Sequence, residues 1–285
     1  MSLISLLRRL INSRTDPRKV AVVRIVIGLN AMICALDEWP KMLRVLAPGI
    51  LPLPSVGWLP RLPLKALPFF IAGWLAAAIA FTLGWKTRLF GALLFGLTGY
   101  TLLMDQQTYS NHLYLLMLII LLLTIADSGA IFSLDSRGRS MTHDIPAWPL
   151  LLLKIQATAV YGFSALAKMT PEYFCGTVLA RNLRQPGFLA VPQSWRVPAA
   201  MSIVAVASIV VELFLALGLW FCRLHFIAIL TCVVFHALLI ATLNSHRVGL
   251  GIFAVEMIAL YLLSIDASYV RAWKARPLRV KPTAE

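Results

Sequence analysis

Charged side chains are scarce in this chain of 285 residues: 13% of positions, where an ordinary soluble domain carries about 25%. Hydrophobic residues fill 60% of it, and the mean hydropathy is +0.81. That balance excludes a soluble globular domain, and several apolar runs of about twenty residues point to membrane spans. Cysteine is sparse too. Cys34, Cys175, Cys222 and Cys232 form no CxxC pair and no zinc spacing, so no disulfide framework is read and no metal is expected. Cys232 and His236 are an i,i+4 pair without further ligands, and His225 and His236 lie about 16 Å apart along a helix, too far to share an ion. No internal repeat supports an inverted-repeat transporter. Nor does a DNA- or RNA-binding motif accompany the net charge of +14, so no nucleic-acid partner is expected.

What is present reads as an all-α fold: a polytopic integral membrane helical bundle of about eight transmembrane helices. The spans fall at 20–36, 66–83, 89–104, 112–126, 150–169, 198–221, 224–243 and 249–265. Residues 1–19 form a basic amphipathic segment suited to an interfacial helix or a frayed tail, with no signal-peptide h-region. The spans make one domain over 20–266, followed by a basic tail over 267–285. Lys and Arg number 15 on one set of alternating segments and 8 on the other, which puts both termini in the cytoplasm of a plasma (inner) membrane protein. Six prolines between 37 and 65 (Pro40, Pro48, Pro52, Pro54, Pro60 and Pro63) argue against regular helix there.

Ionisable groups at membrane depth are costly and mark interiors or wet cavities. The candidates are Arg24, His112, Lys154, Lys168, Glu212, His225, His236 and Glu256. Arg24 and Lys154 sit one turn inside their spans and can snorkel to the inner interface. Glu212 is read as a structural group that pairs with Arg24 or joins two helices. Lys154, Tyr161 and Lys168 repeat every seven residues, with Ser164 nearly on the same face, and so make a polar stripe. A lysine kept dry on such a face can act as a general base or nucleophile. With the termini inside, His112, Lys168, His236 and Glu256 all come to the outer half of the bilayer.

The motifs carry a further expectation. SNHLYLL at 110–116, IFSLD at 131–135, IPAW at 145–148 and AVYGFSALAKMTPEYFCG at 159–176 occur in this order. Together with Arg24, Gly28, LGWKTR at 83–88, Glu212 and the Phe235–His236 pair, they make the chain resemble the horizontally transferred transmembrane (HTTM) domain. That domain is the membrane region of vitamin K-dependent gamma-carboxylases. The resemblance implies a lyase that couples oxygenation of a reduced quinone (a vitamin K hydroquinone-like cofactor) to carboxylation of a glutamate side chain. It implies Lys168 as the base and His112, in the asparagine–histidine motif with Asn111, as its polar partner. Tyr114, Tyr161, His236 and Glu256 are then expected to line the pocket. Two departures stand out: Ala167 precedes Lys168 where the carboxylases carry a second lysine, and no large soluble domain follows the spans. The partners expected are the lipid bilayer and a peptide or protein substrate. The alternative is a non-catalytic membrane subunit that assists peptide maturation or secretion beside a partner subunit.

Overall fold

The structure, a computed structural model, describes residues 12–138, 144–184, 187–243 and 247–263. Residues 1–11 of the interfacial segment expected over 1–19, and the tail over 267–285, lie outside the described residues. Eight apolar helices carry the fold: α1 (Pro17–Val45), α2 (Leu67–Leu83), α3 (Thr87–Met104), α4 (Asn111–Ile125), α5 (Trp148–Ala167), α6 (Pro198–Gly218), α7 (His225–Thr242) and α8 (Arg247–Leu263). Six of them are long and apolar enough to cross a membrane: α1, α2 with its preceding turn, α3, α5, α6 and α7. The other two, α4 and α8, are shorter apolar helices. α1 packs on α2 and α8, α3 on α4, and α5 on α6, with Ile27, Ala31, Leu116, Ile119 and Met257 buried in the shared core.

Local chemistry sets the helix starts. Asp16 caps α1 by accepting from the Arg18 N–H at 2.9 Å, and Pro17 takes the first position, where its missing N–H costs nothing. α1 then runs further than the sequence suggests. The prolines from position 37 argued for a loop, yet the helix passes through Pro40 and stops only at Val45. Pro40 removes a single N–H, and Lys41 Nζ ties the same stretch together by bonding Asp37 and Glu38, each at 2.6 Å. Asp37, Glu38 and Lys41 therefore sit on a helix packed in the bundle.

One end of the bundle is a clasp around Arg24. Its side chain is fully buried, donating to the carbonyls of Ser128 at 2.6 Å and Phe132 at 2.5 Å. A guanidinium removed from water needs acceptors, and the chain leaving α4 supplies them. Arg24 therefore does not snorkel. In the same corner Asp135 accepts from the N–H groups of Lys86 at 2.7 Å and Thr87 at 2.8 Å, which caps α3 from 48 residues away. Leu134 N–H reaches Leu83 O and Asp135 N–H reaches Gly84 O, both at 3.0 Å. Gly84 turns with φ +69°, a conformation that disfavours other residues. Ile145–Pro146 pairs antiparallel with Arg14–Thr15 and ties the start of α5 to the start of α1. The IFSLD, LGWKTR and IPAW motifs thus meet at this end, and the opposite end is left for the cavity.

Candidate functional site

A cavity of about 750 Å³ opens at that opposite end, where α1 and α5 finish and α4 and α8 begin. Its wall includes Asp37 and Lys41 of α1, Asn111 and His112 of α4, Ser164 of α5 and Phe253 of α8. The extended backbone of Ser110 starts α4 and puts Asn111 and His112 in its first turn. Ser110 Oγ lies 3.3 Å from His112 Nε2, and Glu38 Oε1 lies 4.0 Å from the same nitrogen. Gly249 of α8 stands against the imidazole, where a Cβ would come within 2.9 Å of Cε1.

Beneath the cavity floor the polar groups continue along α1. The Glu38 side chain is fully buried; Oε1 accepts from Lys41 Nζ at 2.6 Å, while Oε2 has no hydrogen-bond partner among the described residues. One turn below is Cys34, also buried. Its sulfur, a Glu38 carboxylate oxygen and a His112 ring nitrogen all lie within 4.8 Å of one another. Another turn down, Asn30 Nδ2 donates to Ile252 O at 3.2 Å and to Glu256 Oε1 at 3.4 Å.

Lys168 closes α5 as its C-cap residue and has a carboxylate partner. Nζ donates to Glu212 Oε1 of α6 at 2.5 Å, and Ser164 Oγ donates to the same oxygen at 2.9 Å. The ammonium also lies 6.0 Å above the ring of Tyr173, whose hydroxyl meets Ser208 Oγ at 2.9 Å. After Lys168 the chain turns through Thr170, which caps Pro171–Phe174, and Gly176 at φ +76°. A Cβ on Gly176 would stand 2.5 Å from Ser202 N, so only glycine lets this turn seat on the start of α6. The sequence reading gave Lys168 as a dry amine with His112 as its polar partner; in the structure its partner is the Glu212 carboxylate, and Lys168 is half of an ion pair. Glu212 pairs with it rather than with Arg24, because α5 and α6 pack side by side whereas Arg24 is held at the other end.

Of the residues expected around the pocket, Asn111 and His112 line the cavity, and Lys168 reaches it through Ser164 and Glu212. Tyr114, Tyr161, His236 and Glu256 do not line it. Two residues past His112, Tyr114 points about 200° away around α4 and is exposed. His236 packs its ring 5.7 Å from Phe253, behind the cavity wall. Tyr161 lies behind it too, 6.1 Å from the His236 ring, with its hydroxyl 3.3 Å from Cys232 Sγ. Glu256 is one helical turn deeper than Phe253 and fully buried. Lys154, at the far end of the stripe, lies 4.6 Å over the Trp220 ring. Sequence reasoning missed Glu38 and Lys41 because the first span was ended at position 36, and passed over Asn30 and Cys34 inside that span because only ionisable groups were sought there. The signal was available: Cys34 and Glu38, like Asp37 and Lys41, are spaced i,i+4 on one helix.

The fold and cavity define a multi-pass helical membrane protein with a polar-lined cavity at one end of its bundle. This chain belongs to the HTTM-domain family, whose model matches residues 12–269. No solved structure matches it.

Proposed function

We propose that this chain is a gamma-carboxylase-like membrane enzyme that takes a reduced quinone into the His112 cavity and uses it to modify a peptide or protein side chain. One observation carries the reading: Ser164 stands in the cavity wall and donates to Glu212, the carboxylate that holds Lys168 at 2.5 Å. A proton-handling pair thereby has an outlet into a chamber of ligand size, since pockets for small molecules run from about 300 to 1,000 Å³. The walls suit a quinone, with Phe253 and Tyr109 as flat apolar surfaces and Asn111 and His112 as polar groups for ring oxygens. When bound, a reduced quinone supplies two electrons and an ionisable ring hydroxyl.

His112 and Asn111 orient that hydroxyl. Ser164 accepts the proton it releases and passes its own to Glu212 Oε1, while Lys168 steadies the carboxylate. The base is the Lys168–Glu212 pair rather than the lysine alone. The bias of 15 basic residues to 8 supports cytoplasmic termini, eight crossings and a cavity that faces outward. The core position of α4 supports its crossing despite its length of 15 residues, since its neighbours shield it.

Anaerobic difference spectroscopy with a short-chain reduced naphthoquinone tests the reading. Saturable binding is expected, weakened about tenfold by Asn111→Ala or Phe253→Ala, the equivalent of about 1.4 kcal/mol. A non-catalytic subunit would show no saturable binding.

A further inference from the structure

We propose that Cys34, Glu38 and His112 form a binding site for a zinc-class divalent cation, with its remaining coordination position open to the cavity. The inference does not depend on the quinone reading. Cys34 and Glu38 stand one turn apart on the same face of α1, and His112 comes to them from the first turn of α4. Their ligand atoms already lie within 4.8 Å of one another. A tetrahedral ion about 2.0–2.3 Å from each ligand spaces them roughly 3.3–3.8 Å apart, so closing the site takes about an ångström of side-chain movement.

A second observation points to a ligand: Glu38 Oε2 is buried without a hydrogen-bond partner among the described residues. An orphaned carboxylate oxygen is costly in a protein interior, and a cation there would satisfy it. Lys41 does not block the site, because its Nζ also bonds Asp37 at 2.6 Å and keeps that partner when Glu38 turns to the ion. Charge balances as well: a thiolate, a carboxylate, a neutral imidazole and a dication sum to zero. On binding, the Cys34 S–H bond breaks, a sulfur–metal bond forms and the proton leaves to water in the cavity, with no change of oxidation state.

The donor set names the cation class. Sulfur and imidazole nitrogen select zinc-like ions over magnesium or calcium, which prefer all-oxygen shells. Three protein ligands with one vacant position is the arrangement of reactive rather than structural zinc. Because His112 belongs to the cavity wall, the vacant position faces whatever the cavity holds.

The test is cobalt(II) titration of the metal-stripped full-length protein in detergent. One cobalt per chain is expected, with intense visible bands of a tetrahedral ion and a near-ultraviolet sulfur-to-cobalt charge-transfer band, both removed by one equivalent of zinc. Cys34→Ser abolishes the charge-transfer band, and Glu38→Gln weakens cobalt binding at least tenfold. Serine substitutions at Cys175, Cys222 and Cys232 leave the spectrum unchanged. Wild-type protein that shows no charge-transfer band at saturating cobalt overturns the proposal, even if Cys34→Ser does not fold. So does a band that survives Cys34→Ser.

Discussion

Glu212 is the residue on which the candidate chemistry turns, because it receives both Lys168 and Ser164 on one oxygen. Glu212→Gln keeps an acceptor for Ser164 but leaves Lys168 without its counter-charge. Quinol oxidation is expected to fall about 100-fold or more, with the protein still inserted; steady-state rates on purified protein check this. In a Glu212→Leu background, Lys168→Met is expected to restore thermal stability, read as melting temperature, without restoring turnover, since the two groups form one pair. Gly249→Ala is expected to act through a neighbour: the added methyl would press on the His112 ring, so the proposed quinone binding, read by difference spectroscopy, is expected to weaken with little change in melting temperature. At this scale the sequence showed Lys168 and His112, one at the end of an apolar run and one at the start. It did not show what Lys168 touches. The partner is 44 residues away on another helix, and nothing local encodes such a contact.

The elements divide their work between the two ends of the bundle. At one end Arg24 draws the chain after α4 onto α1, and Asp135 caps α3. Arg24→Ala strands the Ser128 and Phe132 carbonyls in a buried corner. It is expected to cost about 3–5 kcal/mol, read by unfolding in detergent, while protein that remains folded binds quinone as before. The apolar helices, six of them long enough to cross a membrane, were legible from hydropathy because long apolar runs have one stable form in a bilayer. The end of α1 was not. Proline density is a local signal, and it lost to the packing of α1 against α2 and α8 together with the i,i+3 and i,i+4 bonds of Lys41. The misplaced boundary hid Glu38, and with it the cluster around Cys34.

For the whole molecule, alternation of helix ends brings Glu38, His112, Lys168 and Gly249 to one side of the bundle, and Arg24 and Asp135 to the other. If the termini are cytoplasmic, that first side faces out, and Cys175 reports on it. Its thiol is exposed beyond the end of α5, and a hydrogen bond with Thr177 holds it below the ordinary cysteine range. A membrane-impermeant maleimide is therefore expected to label Cys175 on intact cells. The thiolate is the reactive form, so a lowered pKa lets labelling persist at a pH where ordinary thiols have slowed. Labelling only after permeabilisation would reverse the orientation. Family and architecture were legible at this scale, since motif order and hydropathy survive without knowledge of contacts; the shape of the cavity was not, because four chain segments build it.

The most direct measurement is oxygen-dependent oxidation of a reduced naphthoquinone by purified wild-type and Lys168→Ala protein. Catalytic turnover by the wild type, reduced at least ~100-fold in a Lys168→Ala variant that inserts and melts as a folded protein, is the predicted result. Equal rates in the two proteins would contradict the account.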